Sequence, residues 1–103
     1  SQTREKAFYS AMKSDLKNLA TEQEIYYADN FTYAPDVGTL DFSISDGVTI
    51  TMAAGTATGW SATADHDGIG DSPACAVYYG DAGAVAPADQ AGEIKCTDAV
   101  IVP

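Results

Sequence analysis

Basic residues are scarce in this 103-residue chain: five lysines and arginines stand against 15 acids, for a formal net charge of −10. A nucleic-acid surface needs a basic face, so no nucleic-acid partner is expected. Histidine occurs once and cysteine twice, too few for a four-cysteine zinc site or a paired-histidine metal helix. Cys75 and Cys96 could form a disulfide, half a metal site or two free thiols, and a disulfide in an oxidising compartment is the best reading. No stretch approaches the roughly 20 consecutive apolar residues of a membrane-spanning helix. None reads as a signal peptide either, so an exported form is expected to have had its targeting segment removed.

What the chain has is an amphipathic pattern from Arg4 to Asn30, REKAFYSAMKSDLKNLATEQEIYYADN. As a helix it would be about 40 Å long, against a radius of gyration of about 13 Å for a compact chain of this size. Phe8, Met12, Leu16, Leu19, Ala20, Tyr26 and Tyr27 share one face, with Lys6, Lys13, Lys17, Glu22 and Glu24 away from it. The stripe thins to small residues around Ala7, Ala11 and Met12, and no N-cap is evident. The first half is therefore expected to project beyond the body and the second half to pack on it. Charge is uneven along the chain. Residues 1–17 hold four basic and two acidic side chains, a net +2, whereas Lys95 stands against 13 acids in the rest, a net −12. Such asymmetry hints at end-to-side association, although charge runs are often only solvated faces.

The helix pattern stops near Asp29-Asn30, and FTYAPDVGTLDF follows as an irregular connection punctuated by Pro35 and Gly38. The sequon Asn30-Phe31-Thr32 is read as a chance match. From Ser45 the rhythm becomes two: Val48, Ile50 and Met52, then Trp60, Ala62 and Ala64, then Cys75, Val77 and Tyr79 alternate with polar or small residues. These segments predict antiparallel strands with one wet face, separated by turns at 55–59 and 67–71. DAGAVAPADQAGE is small, acidic and turn-prone, an exposed loop, and AVIV after Cys96 is expected to add a last short strand. The fold class is α+β, one long N-terminal helix on a small antiparallel sheet. A single domain is expected over residues 1–103: helix 1–30, connecting loop 31–46, and sheet with its cysteine-closed loop 47–103.

No phosphate loop, dinucleotide fingerprint or nucleophile arrangement is legible, so no enzyme and no cofactor are expected. His66, in DHDGIGDS, reads as a surface turn histidine. Asp65, Asp67 and Asp71 bracket two glycines in the manner of a calcium loop, but without the glutamate an EF-hand needs, so an ordinary acidic hairpin turn is preferred to a metal site.

Taken together, the helix, its tyrosine-rich end and the C-terminal cysteine pair resemble the type IV pilins. REKAFYSAMKSDLKNLAT, Arg4 to Thr21, is similar to the middle of a pilin's long N-terminal helix, and ADNFTY, Ala28 to Tyr33, to the helix end of major pilins and type II secretion pseudopilins. The likeness is specific over residues 4–33 and looser over the sheet. It implies a pilin roll and a structural role in an extracellular filament. The partners implied are other copies of the same pilin and the pilus assembly machinery. The resemblance also implies an apolar helical segment before the residues seen here, which anchors the precursor in the inner membrane and later forms the filament core. The family's methylated N-terminal phenylalanine and nearby glutamate have no counterpart here. Arg4, Lys6, Ala7, Phe8, Ala11 and Met12 are the expected assembly residues, the small ones for close helix approach.

Two relatives of that reading compete with it. A major pseudopilin often carries calcium and lacks a C-terminal disulfide, so the cysteine pair favours a pilin. A conductive filament subunit is suggested by Phe8, Tyr9, Tyr26, Tyr27, Phe31 and Tyr33 along the helix, although aromatics at helical spacing are usually packing. A binding module with an aromatic pocket is a further alternative without a specific motif.

Overall fold

Ser1 caps the first helix. In the computed structural model, which describes the backbone of residues 1–100 and the side chains of residues 1–98, its hydroxyl oxygen accepts from the Arg4 N–H at 3.3 Å. The helix therefore has an N-cap that its sequence pattern did not suggest, and one orphan amide of the first turn is satisfied. This helix, α1, spans Gln2–Asn30. It ends where Phe31 turns into the left-handed region (φ 57°), donating its N–H to the Tyr27 carbonyl. Asn30 adds a side-chain bond to the Tyr26 carbonyl at 2.9 Å. Both groups satisfy carbonyls that a helix end leaves free.

Four strands follow: β1 Val48–Gly55, β2 Gly59–His66, β3 Cys75–Gly80 and β4 Lys95–Cys96. They form one antiparallel sheet in the order β1-β2-β3-β4. The architecture is α+β, as the alternation of patterns predicted. In β1 the alternation breaks at a bulge between Met52 and Ala54. The outer face is not uniformly wet, because Ser61 and Ala76 are buried. Ser61 lies opposite Tyr78, and Ala76 opposite Thr63 and Lys95, so longer neighbours shade these small side chains.

The core lies between α1 and the sheet. Tyr9, Met12, Leu16 and Leu19 meet Ile50, Trp60, Ala62, Ala64, Cys75, Val77 and Cys96. The buried helical stripe starts at Tyr9 and continues through Gln23, so packing begins within the first half of the helix, which the sequence pattern had expected to project. The C-terminal segment is the cause. After Cys96 the chain forms a 3-10 turn at Thr97–Val100 instead of the expected strand, and Ile101 and Val102 lie outside the described residues. Thr97 meets the Tyr9 hydroxyl at 2.8 Å, and Asp98 pairs with Lys13 at 3.0 Å, tying this turn under the helix. The molecule measures 43 × 25 × 17 Å, so a helix of 29 residues, at about 1.5 Å each, matches its long dimension and does not outrun it. Only residues 1–7 are fully exposed before the packed stripe begins.

The connecting segment 31–46 runs back along α1 and is fixed by buried polar groups. Asp15 accepts from the N–H and the hydroxyl of Ser45 at 2.9 and 3.0 Å. Gln23, fully buried, donates to the Ala34 carbonyl at 3.1 Å and accepts from the Ala34 N–H at 2.8 Å. Gly55 allows this approach, since a Cβ there would collide with the Ala34 carbonyl oxygen. Cys75 and Cys96 face each other across β3 and β4 and are bonded, which closes the loop between those strands.

Candidate assembly surface

The six residues expected at an assembly face divide into three groups. Arg4, Lys6 and Ala7 are exposed on the first two turns of α1. Phe8 and Ala11 are half-buried. Phe8 is held within its own chain: its ring stacks on the His66 imidazole, with centroids 3.9 Å apart and planes 18° from parallel. Met12 has no exposed surface and belongs to the core, so it is corrected from assembly residue to packing residue. The reason is the packing of α1 on the sheet from Tyr9 onward, which places Met12 in the core.

His66 is likewise not a solvated turn residue. It is the last residue of β2, half-buried, and its Nδ1 accepts from the Gly68 N–H at 2.9 Å. Gly47, at φ +81°, sits so close that a Cβ would lie 2.9 Å from the imidazole Nε2. The neighbouring carboxylates are not gathered into a metal cage. Among the described residues no three His, Cys, Asp or Glu side chains come together in a metal-binding arrangement. Asp67 and Asp71 are exposed, while one oxygen of Asp65 is buried without a hydrogen-bond partner.

The aromatic residues do not form a row along the helix. Tyr27 stacks on Tyr33 at 4.7 Å, and Tyr33 meets Tyr79 edge-on at 5.9 Å. Phe8 goes to His66, and Tyr9 enters the core. The Tyr33 hydroxyl donates to Glu24 at 3.1 Å. Burial first, then this hydrogen bond and the Glu24 charge, push its pKa up to about 12. Two grooves of about 500 Å³ open beside this cluster and share Tyr79 as a wall, one with Tyr27, Tyr33 and Thr58, the other with Lys17, Glu24 and Trp60. The Trp60 indole N–H is buried without a partner.

A smaller groove of about 160 Å³ lies on the opposite flank of the C-terminal part of α1. Glu22, Ile25 and Asp29 form one wall and Thr39, Leu40 and Asp41 the other. Ile25 is 54% exposed and Phe31, just past the groove, is 76% exposed.

Sequence reasoning missed Asp15, Gln23 and this groove. Gln23 did carry a signal, because Met12, Leu16, Leu19 and Gln23 continue one spacing of four and three. A polar residue at that register predicts a buried hydrogen-bonded group. The groove had none, since its second wall arrives only when residues 39–41 fold back.

No family model, curated protein or solved structure matches the chain. Among the described residues, no helix is long and apolar enough to cross a membrane.

Proposed function

We propose that this chain is the outer domain of a subunit of an extracellular filament of the type IV pilin kind. Its precursor would be anchored in the inner membrane and assembled with other copies of itself by pilus assembly machinery. The observation that supports this most is the division of α1. From Tyr9 onward it is packed on a disulfide-bonded sheet, while residues 1–7 stand exposed ahead of the packed stripe. In this reading an apolar helical segment in line with α1 packs with its copies in a central bundle, driven by removal of apolar surface from water. The sheets tile the outside. One heterologous contact repeated without closure then yields a helix of subunits. The role is structural and needs no catalytic chemistry.

Shearing filaments from cells of the source and digesting them for mass spectrometry tests the proposal. Peptides of this chain should dominate the filament fraction and vanish from it when the gene is deleted. Recovery of the chain only as a filament-free periplasmic protein would overturn the reading.

A further inference from the structure

The acidic groove on α1 combines two features that rarely coincide on a solvated face. Glu22, Asp29 and Asp41 line it together with Ile25 and Leu40. The ion pairs among the described residues are Lys13–Asp98 and Lys95–Asp89, so none of the three groove carboxylates has a basic partner there. Beyond Asn30, which also lines the groove, Phe31 holds a left-handed backbone that aromatic residues rarely adopt, with its ring in solvent. The left-handed backbone belongs to the helix end, but the exposed ring extends the apolar part of the surface beside the unpaired charges.

The size and charge of the groove define its occupant. A volume of about 160 Å³ admits a long side chain and not a folded element. That side chain must be cationic, and the chain's own supply is short. Lys13 and Lys95 are engaged, and Lys17, although exposed, stands within the packed stretch of α1 on the wall of the separate groove at Trp60. Arg4 and Lys6 remain, exposed on the first turns of α1. Residues 18–103 carry a net −12, so a second copy approaching by most other faces brings like charge to like charge.

We propose that the groove seats Arg4 of a second copy of this chain, in a head-to-tail contact. The guanidinium presents a rigid fork of donors that can reach carboxylates on both walls, Glu22 and Asp41, at once. Its methylene stem lies along Ile25 and Leu40, and Lys6 follows beside Asp29. Each subunit offers two different surfaces, a basic helix start and an acidic groove, so the contact is heterologous and propagates. Exposed ion pairs are individually weak, and the contact acts through repetition and the high local concentration of an assembly. The inference rests on the filament reading for its setting, but it is testable on the isolated chain.

Single cysteines placed beside the two surfaces, Thr3→Cys in one chain and Thr39→Cys in another, provide the test. The native cysteines are bonded to each other, so only the new thiols react. The two variants mixed at millimolar concentration and low salt under mild oxidation should give a mixed cross-linked dimer. Thr3→Cys paired with Thr49→Cys, on the outer face of β1, should not. Adding Arg4→Glu to the first chain should lower the yield roughly tenfold, and Glu22→Lys with Asp41→Lys in the second should restore it. Arg4→Lys should give an intermediate yield, and salt near 1 M, where the Debye length is about 3 Å, should suppress cross-linking. Unchanged circular dichroism and Tm of each variant establish that the fold is intact. A yield indifferent to Arg4→Glu, or equal to the Thr49→Cys control, overturns the proposal. Filaments that contain the chain but show no Thr3–Thr39 cross-link overturn the docking geometry and leave the filament reading standing. A cross-link in solution from a chain that cells never assemble supports the contact and overturns the filament reading.

Discussion

Gln23 closes a two-bond ring on the backbone of Ala34, its amide oxygen 2.8 Å from the N–H and its amide nitrogen 3.1 Å from the carbonyl. All four groups are buried, and the pair fixes the returning segment at the C-terminal end of α1. Gln23→Ala should leave two backbone groups unpaired, each costing about 1–3 kcal/mol. Urea unfolding should therefore show a loss of about 2–4 kcal/mol, with faster amide exchange at Ala34. A loss below about 0.5 kcal/mol, the range of ordinary surface substitutions, would show that water replaces the side chain.

Phe31 carries strain that glycine would relieve. Its φ of 57° places a Cβ where the left-handed conformation costs roughly 1–2 kcal/mol, partly offset by the greater unfolded-state freedom of glycine. Phe31→Gly should raise stability by about 0.5–1 kcal/mol, a gain of several degrees in Tm for a domain of this size. If the ring contributes to assembly, the same variant should weaken filaments while stabilising the subunit.

Tyr33 should ionise well above the ordinary phenol range. Its pKa of about 12 lies above the usual 10, because burial and the bond to Glu24 favour the neutral phenol. A folded-state pKa above the unfolded one gives stability that is fully present below pH 10 and lost as pH rises through about 12. Ultraviolet titration of the folded chain should resolve this late phenol, and Glu24→Gln should bring it down. Tyr33→Phe should remove the late step altogether.

The Cys75–Cys96 bond spans a sequence separation of 21, for which constraint of the unfolded chain is worth about 3 kcal/mol. The double variant Cys75→Ser/Cys96→Ser should lose about that much stability in urea. Thiol titration of the unreduced, denatured chain should find no reactive cysteine, and two reactive thiols would refute the bond.

Much of this fold was legible in the residues because the two periods are clean. The apolar alternation of Val48, Ile50 and Met52, and of Trp60, Ala62 and Ala64, placed β1 and β2 between glycine and aspartate turns where the structure has them. Cys96 returns to the sheet, but the strand expected after it is a 3-10 turn over its described part, for a physical reason. β4 is only Lys95–Cys96, too short to show a period, and the residues after it turn under α1 to reach Tyr9 and Lys13. That turn also moved Met12 from a projecting segment into the core. The surface proposed for assembly was half legible. A basic helix start can be counted from Arg4 and Lys6, but the acidic groove proposed as its seat needs Asp41 brought beside Glu22, which only the folded chain does.

Electron cryomicroscopy of filaments sheared from cells that make the complete precursor tests the central claim most directly. The account predicts a helical assembly with this sheet domain on the outside. Density for α1 should continue unbroken from its N-terminal end into a packed central bundle of apolar helices, with Arg4 of one subunit against Glu22 and Asp41 of another. Filaments built from a different protein, or a filament in which α1 ends at the domain surface and no helical bundle fills the core, would contradict it.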